Sequence, residues 1–117
     1  MTTSTGGFMS NEWNVPDGLN PLGKTVAETI RKFFVDQQID RHDGGGSFYS
    51  PQEWADRDEE YGLGSLLVIT HDGGSHAVAF DPEYHGSGVQ ESFRKELSAI
   101  GVYVENCTSW YSAVYKA

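Results

Sequence analysis

The chain has 117 residues, of which 38% are hydrophobic and 13% aromatic; this is enough apolar surface for one packed core and too much for a disordered chain. Seventeen acidic and eight basic residues give a net charge of −9, which argues against direct binding to nucleic acid or to an anionic membrane, because both require cations. No apolar run approaches the ~18 residues that span a bilayer, and residues 1–7 lack the basic start and apolar run of a secretory signal.

The N-terminal residues 1–24 are rich in Thr, Ser, Asn, Gly and Pro, with turn signals such as Asn20-Pro21. We therefore expect an extended or mobile N-terminal arm over residues 1–24, followed by a single α+β domain over residues 25–117. Scattered apolar residues, among them Trp13, offer the alternative that the arm is pinned onto the domain.

The first predicted helix begins at Thr25, because Thr25-x-x-Glu28 has the form of a capping box. Apolar residues then recur at helical spacing and form one stripe for the core, namely Val26, Ile30, Phe33 and Phe34. The helix is expected to end near Gln38, before a glycine run at residues 44–46 that is predicted to form a flexible loop.

A second, shorter helix is predicted at Ser50-Pro51-Gln52-Glu53, which combines a capping serine, a proline at the first helical position and the reciprocal glutamate. Its main apolar residue is Trp54. The acidic residues that follow must face water, since the helix has so little else to bury: Asp56, Asp58, Glu59 and Glu60.

Residues 65–71 are predicted to form a strand, with residues 76–80 as its antiparallel partner. The connection contains both Asp-Gly and Gly-Gly, either of which can form the tight turn, so two registers remain open. In both registers His71 and His76 lie on the same face of the hairpin, because the registers differ by two residues.

A third helix is predicted to open at Ser87-x-x-Gln90 and to close at Gly101 in the left-handed conformation. Its inward positions are Val89, Phe93, Leu97 and Ile100. Residues 102–106 and 110–115 then form two strands, with a single long strand as the alternative. The order α-α-β-β-α-β-β predicts an α+β two-layer sandwich, in which a four-stranded antiparallel sheet carries its helices on one face.

The tetrapeptide His-Asp-Gly-Gly occurs twice, at residues 42–45 and 71–74. Histidine and aspartate side chains could bind a divalent metal, and His71 and His76 are the pair best placed to share one ion. The spacing matches no zinc pattern, and Asp-Gly and Gly-Gly are common in tight turns, so the turn interpretation is favoured. A metal-dependent enzyme or metal-binding protein that uses His71 and His76 remains the alternative function.

The single cysteine, Cys107, cannot form an internal disulfide, which fits a soluble protein in the reducing cytoplasm. It follows Glu105 in an acidic segment, and nearby negative charge raises the pKa of a thiol. We therefore expect a structural cysteine rather than a nucleophile, and we predict neither a catalytic residue nor a cofactor.

Charge gives the main indication of function, because residues 51–105 contain eleven acidic and three basic residues, a net charge of −8. Such a field speeds encounter with a basic partner. The candidate contacts lie on and beside the second predicted helix: Glu53, Trp54, Asp56, Asp58, Glu59, Glu60 and Tyr61.

The sequence therefore favours a small acidic module that binds a basic protein surface, such as that of a nucleic-acid-binding protein or complex, without catalysing a reaction. One version is an inhibitor that mimics nucleic acid, in which carboxylates occupy a groove meant for phosphates. In size and charge, though in no motif, the chain is similar to small acidic phage inhibitors such as anti-restriction and anti-CRISPR proteins. A homodimer formed through the last strand is an alternative assembly.

Overall fold

The computed structural model describes residues 13–40, 46–71, 75–80 and 88–117. In chain order the elements are α1 (Pro21–Asp36), β1 (Ser47–Tyr49), α2 (Pro51–Asp56), β2 (Leu67–Thr70), a 3-10 helix (Ser75–Ala79), α3 (Val89–Ala99), β3 (Val102–Asn106) and β4 (Tyr111–Lys116). Within these ranges no helix is both long and apolar enough to cross a bilayer.

The four strands form one antiparallel sheet in the order β1-β2-β4-β3, which confirms the predicted α+β class and the four-stranded antiparallel sheet. The strand predicted over residues 76–80 is wrong, because most of this segment forms the 3-10 helix. The position beside β2 is taken by β1, whose Phe48 pairs with Ile69. Residues 76–80 therefore pack over the sheet, and Ala79 and Phe80 enter the core.

One face of the sheet is covered by α1, α3 and the 3-10 helix, and the predicted helical stripes are confirmed there. Val26, Ile30 and Phe34 of α1 are fully buried against Leu67 and Ile69 of β2. Phe93 and Leu97 of α3 complete this main core, as expected from their spacing.

The predicted start of the first helix at Thr25 is wrong, because α1 begins at Pro21. Asn20 caps it: the Gly23 amide donates to the Asn20 side-chain oxygen at 2.7 Å, and proline occupies the first helical position. The cap that the chain uses is thus Asn20, five residues before Thr25.

Residues from Trp13 onward do not form the extended or mobile arm predicted for residues 1–24. Trp13 is buried in the main core, and its indole N–H donates to the Asp40 carbonyl at 2.9 Å. Its own carbonyl accepts from Arg31 at 3.3 Å. The alternative of a pinned segment therefore describes residues 13–20, while residues 1–12 lie outside the described ranges.

The prediction that all helices share one face is wrong for α2, which lies on the opposite face of the sheet. Its Trp54 packs there with Val68, Tyr111 and Ala113. The reason is that side chains alternate along a strand, so Val68 points away from Leu67 and Ile69. Both faces of β2 are apolar, so other elements must pack on each of them to keep it from water.

The capping box predicted for the second helix is confirmed. The Glu53 amide donates to the Ser50 hydroxyl oxygen at 3.1 Å, and the Ser50 amide donates to the Glu53 carboxylate at 2.8 Å. Pro51 holds the first helical position. These bonds satisfy amides that a helix start otherwise leaves without partners.

The C-terminal elements follow the prediction closely. Helix α3 ends at Ala99, and Gly101 adopts a left-handed φ of 80° after it, as expected for a glycine at this position. Strand β3 matches residues 102–106, and β4 starts one residue later than expected, at Tyr111. The predicted cap at Ser87 lies outside the described residues.

We expect Ser50→Ala to lower the free energy of unfolding by about 1 kcal/mol, because the Glu53 amide loses the Ser50 hydroxyl as its acceptor. Urea denaturation followed by circular dichroism measures this change. Ser98→Ala on the exposed face of α3 is the matched control and should leave stability nearly unchanged. Equal effects of the two substitutions would show that the box does not hold α2.

Candidate functional site

The acidic segment, defined as residues 53–61, lies at the surface on the α2 side of the sheet. Glu59 is half-buried, and the exposed residues of the segment are Glu53, Asp56, Arg57, Asp58, Glu60 and Tyr61. The helix ends at Asp56, and Asp58 has a left-handed φ of 61°, which reverses the chain. Four of the five acidic side chains of this segment are thus exposed, and their role as contacts stays a prediction.

Trp54, which was predicted among the contacts, is fully buried and therefore anchors the segment instead of presenting its ring to a partner. Its ring centroid lies 4.8 Å from that of Tyr111 and 5.0 Å from that of Tyr49. Aromatic pairs at such separations add about 0.5–1.5 kcal/mol beyond the burial of their area. The packing of Trp54 consequently attaches the acidic segment to the sheet.

The charge of the acidic segment is not cancelled within the described part of the chain. Its five acids and one base give −4, and the base, Arg57, lies over the rings of Trp54 and Tyr49, with centroid distances of 4.7 and 5.3 Å. Among the described residues the ion pair is Lys32–Asp36, on α1. No ion pair among the described residues therefore balances the carboxylates of the acidic segment.

The same face of the sheet carries a pair of tyrosines on its other half. Tyr103 of β3 and Tyr115 of β4 are cross-strand partners whose rings stack with centroids 5.7 Å apart. Tyr103 is 48% exposed, and Tyr115 is half-buried. Burial raises the pKa of Tyr115, and the nearby Cys107 and Glu105 raise that pKa further.

Alternation along β4 places Tyr111, Ala113 and Tyr115 on one face of the sheet, and α2 covers this face in part. Trp54 lies on Tyr111 and Ala113, whereas Tyr115 lies at the margin of this cluster. Tyr103 was not among the predicted contacts. Its signal in the sequence is the alternation of β3, where Val102 and Val104 are buried and Tyr103 is exposed.

The two histidines of the predicted hairpin are buried in hydrogen-bonded positions. The His71 ring stacks on Phe80, with centroids 4.6 Å apart, and its Nε2 lies 2.8 Å from the Ser112 hydroxyl. Ser112 donates its own proton to Asn106 Oδ1 at 3.1 Å, so Nε2–H of His71 is the donor to Ser112. Asn106 in turn donates to the Phe80 carbonyl at 2.7 Å.

His76 is fully buried, and its Nε2–H donates to the Thr70 carbonyl at 2.9 Å. Both histidines thus use Nε2 in bonds that hold the end of β2. Within the described ranges no three His, Cys, Asp or Glu side chains are grouped to hold a metal. Because residues 42–45, 72–74 and 85 lie outside those ranges, a metal site that includes them stays a prediction.

Gly46, at the end of the glycine run, is needed for close packing. A Cβ at this position would lie 2.5 Å from Nε2 of His76 and 2.8 Å from the Trp13 ring. Both neighbours are buried, so neither can move away without opening the core. Gly46, which follows the first His-Asp-Gly-Gly copy, therefore has a packing role. The side chain it packs against, His76, follows the second copy.

We expect Gly46→Ala to lower the free energy of unfolding by about 1–3 kcal/mol, as overpacking does in a dense core. Gly64→Ala is the matched control, since a Cβ there meets no heavy atom of the described structure within 4 Å. Thermal denaturation of the two variants provides the comparison. A Gly46→Ala protein as stable as the Gly64→Ala protein would contradict the packing role.

Cys107 is half-buried beside the acidic strand end, as expected for a structural cysteine. Burial raises the pKa of its thiol, and the charge of Glu105 raises it further, which confirms the direction predicted from the sequence. The thiolate that attacks an electrophile is therefore scarce at neutral pH.

The pH profile of Cys107 alkylation tests this environment. Because the pKa of the thiol is raised in the folded protein, we expect the rate of reaction with iodoacetamide to rise at higher pH than in the same chain unfolded in urea. Glu105→Gln removes one of the two causes and should move the profile to lower pH. Mass spectrometry gives the rates; a folded profile at or below the unfolded one would refute the assignment.

Comparison of the chain with protein-family models, curated proteins and solved structures gives no match in any of the three. The features from which a function can be inferred lie on the α2 face: the acidic segment and a stacked pair of tyrosines, one exposed and one half-buried.

Proposed function

We propose that the protein is a small acidic module that binds a basic protein surface without catalysing a reaction, in the manner of an inhibitor that mimics nucleic acid. One observation carries the proposal: four of the five carboxylates of the acidic segment are exposed, and none has an ion-pair partner among the described residues. Trp54 and the capping box hold the helix from which the segment continues. Fixed charges bind more tightly than mobile ones, because less conformational entropy is lost.

The chemistry of carboxylates supports mimicry. Grooves that bind nucleic acid present Lys and Arg to phosphate oxygens, and these contacts supply most of the affinity that does not depend on sequence. Arginine binds carboxylates and phosphates with the same two-pronged geometry. An array of carboxylates on a small domain can therefore occupy such a groove. The net charge of −9 on this chain would attract it to the basic groove over a longer distance.

The contact between Ser112 and His71 resembles the nucleophile and base of a hydrolase, yet its geometry favours a structural role. Ser112 is fully buried, so a substrate cannot reach its hydroxyl. The hydroxyl proton is also directed to Asn106 rather than to the imidazole. This arrangement supports a binding protein over an enzyme that uses this pair.

Charge reversal in the acidic segment tests the proposal. The immobilised protein should capture basic, nucleic-acid-binding proteins from a lysate of its own organism or of that organism's prey, and excess duplex DNA or high salt should release them. Asp58→Lys/Glu59→Lys/Glu60→Lys should reduce capture by about tenfold or more, since like charges would then face each other.

The control variant, Asp17→Lys/Glu28→Lys/Glu96→Lys, makes the same change in net charge at exposed residues outside the acidic segment. It should retain most of the capture, and quantitative mass spectrometry compares the two. Equal losses in both variants would show that only net charge matters. Capture that duplex DNA does not displace would reject mimicry of nucleic acid.

A further inference from the structure

The acidic segment and the tyrosine pair lie on one continuous face of the sheet. Trp54 of α2 packs on Tyr111 of β4, and Tyr115 lies at the edge of the same cluster. Tyr103 stacks on Tyr115 and extends the face to β3, the strand at the edge of the sheet. A partner bound to the acidic segment could therefore also contact the exposed ring of Tyr103.

We propose that Tyr103, Tyr115 and Glu105 form a docking site for an arginine side chain of a basic partner protein. The guanidinium would lie on the exposed Tyr103 ring, and the Glu105 carboxylate would balance its charge. This inference rests on the proposed function, because the partner is the same basic protein, and it adds where and through which side chain that protein binds.

The composition of the site indicates a cation, and arginine in particular. The ring of Tyr103 is half-exposed, and Glu105 on the same strand and face is exposed. A guanidinium is planar, stacks on aromatic faces and binds carboxylates, whereas an ammonium is a compact and strongly hydrated charge. A ring with a neighbouring carboxylate thus suits arginine better than lysine.

The chain already contains one guanidinium bound in this way. Arg57 lies over Trp54 and Tyr49 on the same side of the sheet, at ring distances of 4.7 and 5.3 Å. The Tyr103–Tyr115 pair offers a second aromatic surface, and among the described residues the cation–π contacts are those of Arg57. Lys116, the one base on β3 or β4, alternates with Tyr115 and so points away from this face.

Charge also decides between an outside partner and a second copy of this chain. Two copies that met through this face would bring together two chains of net charge −9, and the mutual repulsion opposes association. A basic protein is instead attracted to this face, because its positive charge complements both Glu105 and the acidic segment.

Titration with defined peptides tests the site. Binding of fluorescein-labelled octa-arginine and octa-lysine is measured by fluorescence anisotropy at low salt. Tyr103→Ala should raise the Kd for octa-arginine about two- to fivefold, the effect of losing an exposed cation–π contact, and should change the Kd for octa-lysine less. Tyr103→Phe keeps the ring and should bind like the unmodified protein. Val35→Ala, an equally exposed position on α1 (52%), is the control.

The outcomes separate this inference from the proposed function. If charge reversal at residues 58–60 weakens binding while Tyr103→Ala leaves the octa-arginine Kd unchanged, the arginine site is overturned and the acidic module stands. If neither peptide binds the unmodified protein, both proposals are overturned. Analytical ultracentrifugation tests the remaining alternative, that a second copy of this chain binds the face. A dimer that dissociates when Tyr103 is replaced by alanine would assign the face to a second copy and overturn the arginine site.

Discussion

Burial of Trp54 against β2 and β4 is the contact on which the acidic face depends. A helix of six residues is far shorter than the ~12–15 residues that are even marginally stable alone in water. The capping box starts α2, but the packing of one tryptophan on Val68, Tyr111 and Ala113 attaches it to the sheet. Truncation of such a side chain costs about 3–5 kcal/mol. Without this anchor α2 would not be held against the sheet, and the acidic segment that continues from it would lose its fixed starting point.

The two faces of the sheet differ in how much they bury. The α1 and α3 face contains the main core, and its buried histidines hold the end of β2 through bonds from His71 to Ser112 and from His76 to Thr70. The α2 face has a smaller cluster, with exposed tyrosines and carboxylates around it. The main core and the acidic segment are thus separated by the thickness of one sheet, so exposed residues on the α2 face can be substituted with little effect on the main core.

Signals carried by neighbouring residues predicted much of the fold: the capping box at Ser50, the stripe of α1, the left-handed Gly101 and the strands after it. The failures involve contacts between distant residues. Residues 76–80 alternate like a strand, but β1, only three residues long, already occupies the edge of β2. The side of the sheet that α2 covers depends on Trp54 meeting β4, which no local pattern encodes. For the same reason the sequence located the acidic segment of the candidate site but not Tyr103 beside it.

The central claim is that one face, the one carrying α2 and the tyrosine pair, binds a basic partner. Heteronuclear NMR of the labelled protein titrated with octa-arginine tests it most directly, because every backbone amide reports its own environment. We expect the perturbed amides to cluster at residues 53–61 and 103–115, and those of α1 to remain unchanged. Perturbations spread evenly over all acidic surfaces, or centred on the groove between α1 and α3 near Lys32 and Glu96, would contradict it.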